Sequence, residues 1–366
     1  MKLYEKELKA LQKSGRFRER SLYPSGCYDF ATNDYLGLAH NKELHQKTFQ
    51  TLQQEELYAP KASLLVGGYH QIHKDFEEYL CQLNGFESGI VVGSGFNANI
   101  ALIEALVRKG DILLMDEKYH ASGVLASNLP HITKEFFTHN DPQNLKEKLL
   151  KHHDKKRIIV AVEGIYSMDG DMVKKEIFEV TKEYENLLLI VDEAHSSGVV
   201  GEKLLGVFDY YNIQPTPQHI KMGTLGKAYG SFGAYILASN HIISYLENRA
   251  KPLIYATALS LYDTLLAHNA LRFIQKNTAT IQQKIQKRHQ LLDEILGLKV
   301  DGLIVPIIIG NDTKVMHIKE ELLKENFFIG AIRRPTVDRA ILRVILRILE
   351  SEETTKLLLQ KIKTYL

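Results

Sequence analysis

Residues 187–196 read LLLIVDEAHS, an apolar run that ends in two carboxylates and a histidine. Such a short run, followed at once by polar residues, is typical of a strand buried on both faces of a parallel sheet. Similar runs recur between residues 88 and 240 and alternate with helical patterns such as Asn99–Arg108 and Pro142–His152. The predicted strands are Gly89–Val92, Asp111–Met115, Ile132–Phe137, Arg157–Val162, Leu187–Val191, His219–Met222 and Gly233–Ala238. The alternation predicts an α/β fold whose mostly parallel sheet is covered by helices on both faces.

The pattern changes after Leu259 and predicts a smaller C-terminal α/β domain. A long helical region is expected from Ser260 to about Leu296, and the elements after it are a strand at Leu303–Ile309, a helix at Lys314–Lys324, a strand at Phe327–Ala331 and a helix at Glu352–Tyr365. Near the N-terminus, Leu3, Leu8 and Leu11 predict a short amphipathic helix that packs on the body. We expect an N-terminal arm (1–40), a large domain (41–270) and a small C-terminal domain (271–366).

The composition is that of an ordinary globular protein. Of 366 residues, 45% are hydrophobic and 25% are charged, and 46 basic side chains against 44 acidic ones leave a net charge of +2. This balance gives no reason to expect a nucleic-acid or membrane-surface partner. Two cysteines, Cys27 and Cys81, form no disulfide framework. No apolar run approaches the ~18 residues of a membrane span, and the N-terminal segment resembles no secretory signal, so a cytoplasmic protein is expected.

Ligands of parallel sheets bind at the carboxyl ends of the strands, so the residues there are the candidates for chemistry. Gly93–Asn99 is a glycine-containing turn that opens a helix, and it suits a phosphate group, although many such turns are only tight connections. Asp192 is placed to hold a cation or a protonated ring nitrogen, with an N-cap as the structural alternative. His195 can donate to an oxygen of the same ligand.

Residues 223–234, GTLGKAYGSFGA, set Lys227 among glycines. Partial burial would lower the pKa of this lysine and make its amine nucleophilic, which suits a Schiff base to a carbonyl compound. Thr224 can bind a phosphate, His120 can lie against an aromatic ring, and Ser167 can donate to a ring oxygen. Together these groups match pyridoxal 5′-phosphate (PLP), which needs a lysine and an acidic partner for its ring nitrogen.

The same motifs resemble those of the α-oxoamine synthases, PLP-dependent transferases of fold type I (aspartate aminotransferase-like). The resemblance extends over nearly the whole chain and rests on NDYLGL (33–38), the Ala62–Glu77 segment, DEKYHAS (116–122), EGIYSMDG (163–170), DEAHS (192–196), TLGKAYGSFGA (224–234) and Ile332–Arg343. It implies a mostly parallel sheet in a large domain, a smaller C-terminal α/β domain, and a homodimer.

The resemblance also implies roles for individual residues. Lys227 would hold PLP covalently, Asp192 would pair with its ring nitrogen, and His120 would stack on the ring. The remaining cofactor contacts would be His195 and Ser167 at the phenolic oxygen, and Gly95, Phe96 and Thr224 at the phosphate. Substrate contacts would be Arg18 (or Arg20), His120, Thr336 and Arg343, the last for the amino-acid carboxylate. Thr257 would reach the partner's phosphate site.

Within the family, the segments are most similar to the branch that serves biotin synthesis. That branch condenses L-alanine with a pimeloyl thioester, carried by CoA or acyl-carrier protein (ACP). Two departures lie where the acyl substrate is expected: Leu64 stands in place of an arginine, and the residues after Thr336 lack the usual proline and glycine.

Several alternatives remain open at this stage. Sister synthases condense glycine with acetyl-CoA or succinyl-CoA, and another acyl-CoA:amino acid C-acyltransferase, with a different long-chain acyl group, is a further alternative. The letters DEAH (192–195) also occur in helicases, but a nucleotide-binding loop of the type G-x-x-x-x-G-K-[ST] is missing upstream. A catalytically inactive scaffold is disfavoured by the presence of Lys227, Asp192 and His120. No zinc-ligand spacing is found, so no metal is expected.

Overall fold

The computed structural model describes residues 3–20, 22–129 and 132–366. Two β-sheets and the helices around them make up the fold. The strands are β1 (Tyr28–Phe30), β2 (Ser88–Val92), β3 (Ile112–Asp116), β4 (Lys134–Phe137), β5 (Ile158–Glu163), β6 (Leu187–Asp192), β7 (His219–Thr224), β8 (Ala234–Ala238), β9 (Ile304–Ile308), β10 (Phe327–Ile332) and β11 (Ile341–Ile345).

The larger sheet has seven strands in the order β2-β8-β7-β6-β5-β3-β4. All seven were predicted from the sequence. Strand β8 runs antiparallel to both of its neighbours, and the other pairs are parallel. Successive residues of β5 enter different core clusters, with Val160 in one and Ile159 in the other. Both faces of the sheet are therefore covered, as the continuous apolar runs indicated.

The smaller sheet has four strands in the order β1-β10-β11-β9. Strand β1 pairs in parallel with β10, and β10, β11 and β9 are antiparallel. The sequence predicted β9 and β10 but neither β1 nor β11. Because β1 lies inside residues 1–40, part of the expected N-terminal arm is hydrogen-bonded to the C-terminal sheet. The division into three domains remains a prediction.

Most of the helices lie between strands along the chain. They are α1 (Glu5–Lys13), α2 (Lys42–Leu52), α3 (Gln71–Asn84), α4 (Gly95–Leu106), α5 (Ala121–Ala126), α6 (Pro142–Lys151), α7 (Lys175–Thr181), α8 (Val207–Tyr210), α9 (Asn240–Arg249), α10 (Lys251–Ile254), α11 (Leu261–Lys276), α12 (Thr278–Leu296), α13 (Asp312–Lys324) and α14 (Glu352–Lys363). Two short 3₁₀ turns occupy Leu38–His40 and Leu64–Val66.

The predicted helical region over Ser260–Leu296 forms as two helices, α11 and α12. They are divided at Asn277, whose backbone departs from helical geometry and whose amide still bonds back to α11. Helix α1 forms as expected but buries none of its residues, and Leu8 and Leu11 remain exposed. Its predicted packing on the body of the chain was wrong. No helix among the described residues has the length and apolarity that a membrane crossing requires.

Candidate active site

The carboxyl ends of three adjacent strands bring the candidate residues together. Glu163 at the end of β5 is in register with Asp192 at the end of β6, and Asp192 is in register with Met222 of β7. The loop after β7 carries Lys227, whose Nζ lies 2.8 Å from Nε2 of His195. The centre of the predicted site is therefore a lysine–histidine pair beside two buried carboxylates.

The loop after β7 is held close to the NDYLGL segment. The backbone N–H of Gly230 donates to the carbonyl oxygen of Lys227 at 3.0 Å. Gly230 has a φ of +60°, and a Cβ built there would lie 2.4 Å from the backbone nitrogen of Ala39. Only glycine satisfies both conditions, so this position fixes the loop that presents the lysine.

The environment of Lys227 favours a reactive amine. Burial lowers its pKa to about 8, against the attraction of Asp192 and Glu163 and with the help of the Arg343 cation. Burial, with the Lys227 and Arg343 cations adding to it, also lowers the pKa of His195 well below its usual value. His195 is therefore a neutral imidazole, and at pH 7 about a tenth of Lys227 is an uncharged nucleophile, far more than for an ordinary lysine.

A buried hydrogen-bond network supports Asp192. Asn99 on α4 donates from Nδ2 to Asp192 Oδ2 at 2.9 Å and to Ser122 Oγ at 3.1 Å, and its Oδ1 accepts from the Tyr119 hydroxyl at 2.6 Å. Ser122 Oγ is in turn 2.7 Å from Nδ1 of His120. His120 and Asp192 are thus joined through Asn99, a residue that the sequence analysis did not single out.

The predicted phosphate-binding residues also meet. Helix α4 begins at Gly95, where Ser94 caps the backbone N–H of Asn97. A Cβ at Gly95 would lie 3.8 Å from the Cβ of Thr224, so the start of the helix faces the end of β7. The free N–H groups of a helix start and a hydroxyl form a suitable anion site. Phe96 lies beside it with its ring partly exposed.

Arg343 connects the smaller sheet to the site. This buried arginine donates from Nε to the carbonyl oxygen of Ser167 at 2.7 Å and from Nη1 to Asn33 Oδ1 at 3.1 Å. Glu163 accepts the Ser167 N–H at Oε2 (3.2 Å), and its Oε1 is buried without a hydrogen-bond partner. Burial first, and then Asp192, raise the pKa of Glu163 well above its usual range. An orphaned polar atom here is available to a ligand.

Other predicted residues stay apart from this cluster within the chain. Arg18, Arg20, Thr257 and Thr336 are all exposed, and the hydrogen bonds of the described residues tie none of their side chains to Lys227 or Asp192. Their roles remain predictions.

Three buried residues of the site were not proposed from the sequence: Tyr35, Asn99 and Glu163. Asn33, Tyr35 and Glu163 did lie inside motifs quoted for the resemblance, which was the available signal. Asn99 stood in the middle of an apolar helix, α4, where an amide is unusual, and this could have identified it.

One group of described residues has metal-ligating atoms within 4.8 Å of one another: His139, Asp169 and Asp171. Both ring nitrogens of His139 are already engaged, by Asp116 (3.0 Å) and Asp171 (3.1 Å), and Asp169 pairs with Lys118 at 2.6 Å. The group is therefore an ion-pair cluster in this structure.

Comparison with known proteins agrees with the fold and the motifs. The sequence model of the aminotransferase class I and II family matches residues 25–362. An 8-amino-7-oxononanoate synthase of Helicobacter pylori (strain J99) is 40% identical over 363 residues, covering 99% of this chain and 97% of that protein. A putative 8-amino-7-oxononanoate synthase of Aquifex aeolicus is 37% identical over 94% of this chain and 92% of its own length.

Solved structures share the fold. Serine palmitoyltransferase from S. paucimobilis, with a bound PLP–myriocin compound, superposes with a TM-score of 0.87 at 21% identity, covering 99% of this chain and 98% of that one. An 8-amino-7-oxononanoate synthase from Francisella tularensis gives a TM-score of 0.75 at 24% identity, covering 93% and 98%. The chain belongs to the aminotransferase class I and II family of PLP-dependent, fold type I enzymes, in the α-oxoamine synthase branch that its motifs indicated.

Proposed function

We propose that this chain condenses L-alanine with a pimeloyl thioester, releasing CO₂ and the free thiol and giving 8-amino-7-oxononanoate, a step of biotin synthesis. The observation that carries the chemistry is the Lys227 amine, with a pKa of about 8, held 2.8 Å from His195 beside Asp192. The choice of substrates is supported by relatives named 8-amino-7-oxononanoate synthase at 40% and 37% identity over almost the full chain.

The residues of the site fit PLP. A primary amine of lowered pKa suits its carbonyl group, a carboxylate suits its ring nitrogen, and a helix start beside a hydroxyl suits its phosphate. Lys227 would hold the cofactor covalently, Asp192 would hold the proton of the ring nitrogen, and Gly95, Phe96 and Thr224 would bind the phosphate. His120 would cover the ring, and His195 and Ser167 would donate to its phenolic oxygen. When bound, PLP supplies an electron sink for the carbanions of the reaction.

The chain's own residues then have definite tasks. Arg343, buried and donating toward Asn33 and Ser167, presents a cation for the alanine carboxylate. As a free amine next to neutral His195, Lys227 can accept the proton of the alanine α-carbon. Asp192 is kept in place by Asn99 and by the Ala194 N–H at 3.0 Å, so its charge is oriented before substrate arrives.

The quaternary and substrate-carrier assignments are part of the same proposal. We place PLP binding in residues 41–270, with residues 271–366 as the small domain, and we propose a cytoplasmic homodimer in which Thr257 reaches the partner's phosphate site. Arg18 (or Arg20) and Thr336 would contact the acyl substrate, supplied as pimeloyl-CoA or pimeloyl-ACP. Exposure of all four side chains in the single chain is compatible with contacts made in the dimer or with substrate.

In the test, the purified protein is incubated with L-alanine, glycine or serine together with a pimeloyl, acetyl or succinyl thioester, and the products are identified by mass spectrometry. The proposal expects 8-amino-7-oxononanoate from alanine and the pimeloyl thioester. Turnover with glycine alone would reassign the chain to a sister synthase.

Borohydride reduction followed by peptide mapping tests the cofactor attachment separately. PLP should be found on Lys227, and Lys227→Ala should lose both the label and turnover. Label on another lysine would contradict the assignment.

A further inference from the structure

The side chain of Tyr35 lies behind His195, on the side away from Lys227. Its hydroxyl oxygen is 2.5 Å from Nδ1 of His195, while Nε2 of the same ring is 2.8 Å from Lys227 Nζ. Tyr35 is completely buried. The three side chains form a continuous hydrogen-bonded row that ends at the reacting amine.

The backbone holds Tyr35 rigidly. Its N–H donates to the carbonyl oxygen of Asn33 at 2.8 Å, and its own carbonyl oxygen accepts from the N–H of Ile348 at 3.0 Å. Its ring also meets the His195 ring edge-on, at a centroid distance of 6.1 Å. The hydroxyl therefore has a fixed position relative to the imidazole.

The protonation of His195 is constrained by these contacts. Because the imidazole is neutral, one ring nitrogen carries a proton and the other accepts a hydrogen bond. Burial raises the pKa of the Tyr35 hydroxyl, and the Arg343 cation lowers it by a smaller amount. The pKa of Tyr35 is therefore raised, and the hydroxyl keeps its proton. The hydroxyl has two acceptors within reach, Nδ1 of His195 at 2.5 Å and Asn33 Oδ1 at 3.4 Å. Donation along the shorter contact, to Nδ1, leaves the proton of the ring on Nε2.

We propose that Tyr35 is a positioning residue that sets the tautomer of His195, with Nδ1 as acceptor and the Nε2–H directed at the position of Lys227. This inference rests on the proposed function, since the group that uses the Nε2–H is PLP. The 2.8 Å contact to Lys227 is compatible with this arrangement, because a neutral amine accepts a hydrogen bond. The hydroxyl of Tyr35 thus acts on the cofactor only through the histidine.

A donor at the phenolic oxygen of PLP has a measurable electrostatic effect. It withdraws negative charge from that oxygen, and the neighbouring nitrogen that joins Lys227 to the cofactor then holds its proton less tightly. Without Tyr35, Nδ1 and Nε2 compete for the proton of the ring and the donation from Nε2 weakens. The nitrogen should consequently titrate at a higher pH.

The experiment compares wild-type and Tyr35→Phe protein, both loaded with PLP, by following the visible absorbance of the lysine-bound cofactor as a function of pH. We expect the titration midpoint to rise by about one pH unit, the scale of one buried hydrogen bond. The matched control is Tyr235→Phe, which removes another fully buried phenol hydroxyl, bonded to Ser197 at 2.9 Å. Its midpoint should equal that of the wild type.

The outcomes separate the inference from the proposed function. A wild-type protein that shows no lysine-bound absorbance refutes the proposed function. A wild-type titration that Tyr35→Phe leaves unmoved, or moves no more than Tyr235→Phe does, refutes the role of Tyr35 alone.

A second measurement needs no folded Tyr35 variant. Selective ¹⁵N labelling of histidine in the PLP-loaded wild type, with His195 assigned by its loss in His195→Gln, reports which ring nitrogen is protonated. We expect protonated Nε2 and unprotonated Nδ1, and the reverse pattern would overturn the inference.

Discussion

Arg347 is the residue whose removal should most weaken the attachment of the N-terminal segment. It is fully buried, with Nη1 2.7 Å from Asp29 Oδ2 and Nη2 2.8 Å from Asp34 Oδ2, and its Nε donates to the Asp34 carbonyl oxygen at 2.9 Å. Asp29 and Asp34 lie on either side of Asn33, which contacts Arg343. The arginine therefore fixes the segment that supplies both Asn33 and Tyr35 to the site.

The loss of stability expected for Arg347→Met depends on which hydrogen bonds Asp29 and Asp34 keep in the variant. Removing one partner of a buried ion pair costs about 3 to 5 kcal/mol, because an uncompensated charge stays behind. Asp29 would keep hydrogen bonds from the N–H groups of Ala31 (2.9 Å) and Thr32 (3.0 Å), and Asp34 would keep its contact with His40 (3.1 Å). These contacts place the loss near the lower end, about 3 kcal/mol in the free energy of unfolding.

Urea denaturation at a fixed protein concentration measures this loss. The control is Arg334→Met, because Arg334 also pairs with an aspartate, Asp312, at 3.3 Å but is exposed. An exposed pair of this kind contributes less than about 1 kcal/mol. If Arg347→Met lowers the free energy of unfolding no more than Arg334→Met does, the buried ion pairs of Arg347 have no special role and the reasoning is refuted.

Three further predictions test the site and its surroundings. The rate at which PLP attaches to the apoprotein should rise with pH and level off above about 8, where Lys227 becomes neutral; a rate still rising near pH 10 would exclude this amine. Burial lowers the pKa of His139, but hydrogen bonds to Asp116 and Asp171 outweigh burial and raise this pKa to about 9. Protonated His139 should therefore stabilise the fold by up to about 3 kcal/mol, fully below pH 6.5 and progressively less as pH rises toward 9. His139→Asn should flatten this dependence of melting temperature on pH in thermal melts. Asn99→Ala should cost about 2 to 3 kcal/mol in urea melts, because Asp192 Oδ2 and the buried Tyr119 hydroxyl lose their hydrogen-bond partner while Asp192 Oδ1 keeps the Ala194 N–H. The same variant should lose PLP faster on dialysis, and unchanged retention would show that Asp192 needs no support from Asn99.

Much of the larger sheet was predictable because strands buried on both faces are short, continuous runs of apolar residues. Leu187–Val191 is such a run, and the residues that follow parallel strands of this kind meet at one edge of the sheet. The pairing of Lys227 with His195 follows from that geometry. For the same reason, the sequence alone could predict Asp192 and Thr224 as residues of the site.

The missed elements depend on contacts that are distant in the sequence. Strand β1 is only three residues long and exists because Tyr28–Phe30 pairs with Phe327–Ile329. Strand β11 (Ile341–Ile345) overlaps the end of the Ile332–Arg343 motif that carries the family resemblance, and it was missed although all five of its residues are buried. The break at Asn277 leaves the helical spacing of apolar residues almost continuous, so periodicity predicted the helical region without locating the break inside it.

The contacts of helix α1 could not be predicted from the sequence either. Amphipathic spacing shows that an apolar face exists and does not specify which surface covers it. Tyr35 and Glu163 were missed for a related reason, because their roles depend on orientation within a buried cluster: a tyrosine hydroxyl aimed at an imidazole, and a carboxylate oxygen left without a partner.

The parallel pairing of β1 with β10 has a consequence for synthesis in the cell. About 300 residues must be added after Tyr28 before its strand partner Phe327 exists, and at 5 to 20 residues per second this takes roughly 15 to 60 seconds. Until then Asn33 and Tyr35 have neither Arg343 nor Ile348 to hold them. A nascent chain can therefore complete the seven-stranded sheet while the segment of Asn33 and Tyr35 is still unattached. A chain that terminates before Phe327 should contain Lys227 but lack Arg343 and the strand that holds this segment.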